Sequence, residues 1–177
     1  RAGSDVIELG ANRYGKSAIR LVKVIRGPER HQVRDLTVAI SLEGDFEAAH
    51  VDGDNSGVVA TDTMKNTVYA LAGEHLAGSV EQFGLVIARH FLAFAQVTKA
   101  TVSIDEHRWV RMPTDDGEAP DAFLRSGDYT RTAVVSATEA GLSIEAGIRD
   151  LAVMKTGRSG LAGFPRDQYT TLPEADD

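Results

Sequence analysis

The sequence predicts an α+β domain, an antiparallel sheet with two helices packed on one face. Three observations carry this. Leu36, Val38, Ile40 and Leu42 alternate with Thr37, Ala39 and Ser41, the period of a half-buried strand. Two helical stretches then follow one another without a strand between them. Strand signals return after the second helix, so the order is β-β-α-α-β-β with one extra strand.

The first strand spans about Asn12 to Arg26. Ile19, Leu21, Val22, Val24 and Ile25 give it β-branched and apolar character, and Gly27-Pro28 ends it. With the alternating second strand it forms a long antiparallel hairpin turning near Gly27-Pro28-Glu29-Arg30. Turn residues dominate positions 50–60, chiefly Asp52-Gly53-Asp54-Asn55-Ser56-Gly57. Thr61, Asp62 and Thr63 follow, each able to cap a helix with a side-chain oxygen. Met64, Val68, Leu71 and Ala72 recur at helical spacing, which predicts a helix from about Asp62 to Ala77. Ser79 and Gln82 have the spacing of a capping box. Val80, Phe83, Ile87, Phe91 and Phe94 give the second helix its apolar face. Ala100, Val102 and Ile104 mark the next strand, Pro113 to Gly117 a loop, and Thr130 to Ala137 a further strand. Ile144 to Met154 is the extra one. The last twenty residues are Gly-rich, then acidic, and show no period.

The 177 residues contain 42% hydrophobic and 25% charged residues, which suits one core-forming domain. A net charge of -7 argues against a nucleic-acid backbone as partner, since that needs a basic face. With no cysteine, disulfides, thiolate nucleophiles and Cys-ligated metals are excluded. No apolar run approaches the roughly 18 residues that span a bilayer. Residues 1–5 lack the pattern of a secretory signal, so a short N-terminal tail and a cytoplasmic location are expected.

Few residues announce chemistry by themselves. Lys16, near the start of the first strand, is either an exposed strand lysine or, if desolvated, a base. Thr61 and Asp62 open a helix, where free N–H groups serve for capping or hold a small planar anion. The histidines at 31, 50, 75, 90 and 107 show no metal-ligand spacing. The turn His50 to Asn55 lacks the complete calcium-loop pattern. His107 and Trp109 alternate on a strand and suit core or interface packing. No GxGxxG, P-loop or GxSxG motif occurs.

Several stretches nevertheless resemble one family. They are Tyr14-Gly15-Lys16, Arg20-Leu21-Val22-Lys23-Val24, Asp35-Leu36-Thr37-Val38, Gly44-Asp45-Phe46-Glu47-Ala48-Ala49-His50 and Gly53-Asp54-Asn55-Ser56. The most specific is Val59-Ala60-Thr61-Asp62-Thr63-Met64-Lys65-Asn66-Thr67-Val68-Tyr69-Ala70, and Gly163-Phe164-Pro165-Arg166-Asp167-Gln168-Tyr169-Thr170-Thr171-Leu172 is the last. In this order they resemble the first half of urate oxidases (uricases). The resemblance implies a tunnelling fold (T-fold): residues 1–10 a flexible tail, 11–155 a first T-fold module, and 156–177 a connector toward a second module. It implies oxidation of urate by dioxygen and water to 5-hydroxyisourate and hydrogen peroxide, with no metal or organic cofactor. It also implies a homotetramer with active sites between subunits, cytoplasmic, or peroxisomal in a eukaryote. A pterin-handling T-fold enzyme would instead need clustered histidines for zinc.

Carried over by position, Lys16 and Thr61 match the family's catalytic pair, which relays a proton from bound urate. Thr61 also borders the small polar pocket for dioxygen or water, and the backbone N–H of Asp62 holds the purine. Thr61 and Asp62 come from a different subunit than the rest of the pocket. Leu161 stands where the family usually has a Phe stacked on the purine; apolar contact survives there and offset stacking does not. The family's urate-clamping arginine would follow Asp177, and its glutamine, asparagine and histidine belong to the second half. The chain alone is therefore expected to be inactive and to associate or aggregate through uncovered apolar surface.

Overall fold

A computed structural model describes residues 8–175. Residues 1–7 of the expected tail, and Asp176 and Asp177 of the expected connector, lie outside the described residues. Strands β1 (Arg13–Arg26) and β2 (His31–Gly44) form the expected hairpin, closed by a hydrogen bond from Gly27 N–H to the Arg30 carbonyl at 3.2 Å. Three helices follow, α1 (Glu47–Val51), α2 (Thr61–His75) and α3 (Val80–Leu92). Strands β3 (Val97–Thr114), β4 (Gly117–Thr138) and β5 (Gly141–Arg149) complete one antiparallel sheet in the order β1-β2-β3-β4-β5.

The alternation in β2 does what its period implies. Leu36, Val38, Ile40 and Leu42 are buried against the helices, together with Ala100, Val102 and Ile104 of β3 and Ala133, Val135 and Ala137 of β4. Val80, Phe83, Ile87 and Phe91 of α3 are fully buried on the same core. Both halves of the Ser79 capping box form at 3.2 Å: Gln82 N–H donates to Ser79 Oγ, and Ser79 N–H donates to Gln82 Oε1. Phe94 lies just beyond α3 and stacks on Phe91 with ring centroids 6.3 Å apart.

Four elements differ from the sequence expectation. The short α1 precedes the expected turn region and overlaps only its first two residues; with five residues and none buried, it carries no readable apolar face. The expected Pro113–Gly117 loop is a tighter turn at Asp115 and Asp116, with Pro113, Thr114 and Gly117 already paired. β4 begins at Gly117, well before Thr130. Its first half pairs with β3 alone and is mostly exposed, so it lacks the alternation that a core imposes. The extra strand is Gly141–Arg149 rather than Ile144–Met154. Its pairing with β4 stops at Thr130↔Arg149, and Asp150, at φ 59°, turns the chain away.

The helix-free face of the sheet is polar. Its centre is Asp35, only 1% exposed, whose carboxylate accepts from the Arg20 guanidinium and, at 3.0 Å, from Trp109 Nε1. Arg125 lies 4.0 Å from the same carboxylate. Arg20 also donates to Thr37 Oγ1 at 2.9 Å, and that hydroxyl lies 2.8 Å from His107 Nε2. Arginine can only donate, so the Thr37 hydroxyl accepts from Arg20, and which partner donates in its contact with His107 Nε2 follows the ring tautomer. Burial, then the Arg20 charge, hold His107 below the ordinary histidine range, which favours the neutral ring.

Asp35 thus joins β1, β2, β3 and β4. Removing one member of a buried ion pair commonly costs about 3–5 kcal/mol. Here Arg20 and Arg125 are half exposed and can hydrate once the carboxylate is gone. Asp35→Ala is therefore expected to lower stability by about 2 kcal/mol, with the lost acceptor of Trp109 Nε1 a smaller contribution. The denaturant midpoint measures it, and an unchanged midpoint would show that the network is not under load.

Candidate active site at the start of the first strand and second helix

Two segments far apart in sequence meet here. β1 opens with Tyr14-Gly15-Lys16, and α2 opens with Thr61-Asp62-Thr63. The Tyr14 hydroxyl spans the gap: it donates to the Val59 carbonyl at 3.1 Å and accepts from Val59 N–H at 2.8 Å. Its ring meets Phe46 edge to face, with centroids 4.6 Å apart. Burial pushes the phenol above its usual range, against the pull of the Val59 hydrogen bond, so it stays protonated and able to donate.

β1 is not a regular strand. Its register against β2 shifts between Lys16 and Ile19, and Ala18 within the shift has φ 56°. A bulge swaps the inward-facing set, so Tyr14 before it and Ile19 and Leu21 after it all face the core. The left-handed conformation is strained for alanine. Lys16, Gly15 and Ser17 line a shallow open groove with Arg13, Ser41 and Ser103. Lys16 is exposed.

At the helix start the structure corrects one expectation. None of Thr61, Asp62 and Thr63 caps α2: the cap position is Ala60, without a side-chain hydrogen bond, and Thr61 is the first helical residue. The Asp62 carboxylate is turned outward, held by Lys65 at 2.5 Å and Asn66 at 3.0 Å. It lies below the ordinary aspartate range, mainly through Lys65, with a smaller contribution from the charge of Lys16. The Tyr14–Val59 bridge, two residues before Lys16 and two before Thr61, holds the two segments together. Helix geometry leaves the first N–H groups without intrahelical acceptors. Among the described residues, no other backbone acceptor reaches those of Thr61, Asp62 and Thr63. They present free donors and the positive end of the helix.

The structure therefore brings Lys16, Thr61 and Asp62 into one region, and it does not bring Leu161 there. Leu161 forms an isolated bridge to Ala175, whose N–H donates to its carbonyl at 3.0 Å, and it is 53% exposed. Between them, Asp167 accepts from Tyr169 N–H at 2.9 Å and from the Thr170 hydroxyl at 2.8 Å, and Arg166 lies over the Phe164 ring. These hydrogen bonds hold the Asp167 carboxyl below its usual range. The sequence reading missed the Tyr14–Val59 link, whose only trace was that Tyr14 and Val59 each open a family-like stretch. The bulge had none, because its left-handed residue is alanine rather than glycine. Among the described residues, no group of three or more His, Asp or Glu side chains could hold a metal ion, and no helix is long and apolar enough to cross a membrane.

Comparison with known proteins bears on the family and the fold. The uricase family model matches residues 12–136. A uricase of Arthrobacter globiformis is 46% identical over 176 residues, covering 99% of this chain and 56% of that protein. A uricase of Dictyostelium discoideum is 41% identical, covering 94% and 59% respectively. The crystal structure of the Arthrobacter globiformis uricase superposes with a TM-score of 0.79 at 45% identity, over 97% of this chain and 58% of that one. The five-stranded antiparallel sheet with its helices is thus the uricase T-fold. The chain spans little more than half the length of these relatives. Within that span, the chain belongs to the uricase family.

Proposed function

We propose that this chain supplies the Lys16–Thr61 half of a urate oxidase site. Urate, dioxygen and water become 5-hydroxyisourate and hydrogen peroxide: urate loses two electrons, dioxygen gains them, and water provides the new hydroxyl. The observation that carries the proposal is that the Tyr14–Val59 bridge joins the Lys16 segment to the approach to a helix start with free N–H donors. Those donors suit a planar anion, and Asp62 N–H holds the purine edge. The Thr61 hydroxyl passes a urate proton to Lys16, since a more electron-rich urate gives up an electron to dioxygen more readily. A lysine accepts a proton only when neutral, and covering it in an interface favours that form. Lys16 is exposed in this chain, so the cover comes from assembly.

Assembly is part of the same proposal. Residues 11–155 act as the first T-fold module and 156–177 as the connector to a second, following a tail at 1–10. Four copies of the complete protein form the tetramer. All nine residues of β5 are exposed, as are Leu151, Val153 and Met154 beyond it, an apolar edge that suits cover by the second module. The direct experiment joins the chain to that module and follows urate absorbance and peroxide. Turnover in the assembly and none in the chain alone is the expected result. Full turnover by the chain alone, or none by a correctly assembled tetramer, would refute the proposal.

Leu161 favours a second reading, a purine-binding subunit without turnover, because an aliphatic side chain cannot stack on the ring. Turnover by the assembly separates the two readings, and Leu161→Phe tests whether position 161 contacts the purine. Offset stacking contributes about 0.5–1.5 kcal/mol, so urate is expected to bind about 2- to 10-fold tighter. Equal binding by both variants would place position 161 outside the purine site.

A further inference from the structure

We propose that Tyr14 is a positioning residue for the Lys16–Thr61 pair, an inference that rests on the proton relay just described. Tyr14 lies two residues before Lys16, and Val59 lies two before Thr61. The reciprocal hydrogen bonds of one phenol to both the N–H and the carbonyl of Val59 therefore fix the two catalytic segments at the point where each begins. No other side-chain hydrogen bond among the described residues joins β1 to the approach to α2.

The rest of the interface makes this contact decisive. α2 is tied along β1 at two further places. Tyr69 Oη donates to the Arg20 carbonyl at 3.1 Å, and Lys23 Nζ donates to the Ala72 and Gly73 carbonyls at 2.7 and 2.8 Å, near the end of the helix. Both ties lie beyond the bulge at Ala18, on the far side from Lys16. A bulge bends its strand and weakens local pairing, so ties beyond it fix the position of Lys16 poorly. Among the described residues, only the Tyr14 bridge ties the Lys16 side to the approach to α2 by a side-chain hydrogen bond. The ring also packs edge to face on Phe46, a contact that contributes to stability, while the two hydrogen bonds to Val59 set where the hydroxyl sits. The phenol is raised by burial and keeps its proton, so the bridge persists across neutral pH. Tyr14 acts through geometry and need not touch urate.

Tyr14→Phe keeps the ring and removes the bridge. In the two-module assembly with urate as the probe, it is expected to lower kcat about 10-fold while KM stays within about 2-fold, because misplacing a reacting group by a fraction of an ångström costs rate more than ground-state binding. The loss should vanish in the Lys16→Met background, where no relay remains to misalign. Phe46→Leu is the stability control: it loosens the same ring contact, lowers Tm, and leaves kcat unchanged. An equal kcat loss from Tyr14→Phe in both backgrounds would overturn the inference, as would no loss at all. So would the same loss from Phe46→Leu, which would make the effect one of packing. Failure of Tyr14→Phe to assemble while Phe46→Leu assembles would assign Tyr14 to folding and overturn it too. If Lys16→Met itself turns over urate normally, the relay falls, and this inference falls with it.

Discussion

Lys16→Met in the complete assembly is expected to cut urate turnover by about 100- to 10,000-fold, the range that a positioned general base contributes. Methionine retains most of the side-chain length and can be buried without a charge, so the tetramer should still form. Thr61→Ala is expected to lose a comparable factor. Thr61 is the first helical residue and caps nothing, so its hydroxyl is not needed to start α2. A serine or threonine in a true cap would confound activity with helix stability, at about 1 kcal/mol per cap; Thr61 is free of that ambiguity. If the two residues form one relay, the double variant should be little worse than either single one, because groups acting as a unit are not additive. Initial rates of urate loss give kcat, and the tetramer fraction gives assembly. Losses that multiply would mean that the two residues act separately. Unchanged turnover in either variant would remove that residue from the chemistry.

How much of this was legible in the sequence depends on what forced each feature. The core strand at Leu36 to Leu42 and the α3 face at Val80 to Phe91 were legible because one buried face imposes a period. The first half of β4 was not, because its arm pairs only with β3 and no core selects its side chains. β5 was placed too late, since Leu151, Val153 and Met154 are as apolar as its own residues and its end is set by a backbone turn at Asp150. For the candidate site, the residue identities came from the resemblance, and spacing alone gave only a possible anion site at a helix start. What the sequence could not carry is the joining of the segments. The Tyr14–Val59 bridge and the Asp35 network pair residues tens of positions apart, with no period connecting them.

Gly15 is where fold and site are most tightly coupled, and its substitution is expected to damage both. A Cβ built there would lie 1.9 Å from the Ile40 carbonyl oxygen and 2.8 Å from its carbon. Both obstacles are backbone, so no side-chain rotation relieves them. Either β1 retreats from β2 at the Gly15↔Ser41 and Lys16↔Ile40 pairs, or β2 gives way along a strand whose other face is the core. Overpacking of this kind costs about 1–3 kcal/mol and sometimes more. The retreat also carries Lys16 with it, and a displacement of about 1 Å can cost a further 100-fold in rate. Gly15→Ala is therefore expected to lower both Tm and kcat, even though alanine adds a single methyl group. The neighbouring Ala18 supplies the opposite case. Its φ of 56° is strained for alanine and natural for glycine. Ala18→Gly relieves that strain but adds freedom to the unfolded chain, so the two effects offset and Tm should move little. If close backbone approach is the reason for glycine at 15, the two substitutions diverge. Equal and small effects from both would mean that β1 yields easily here, and that the strand does not hold Lys16 in place.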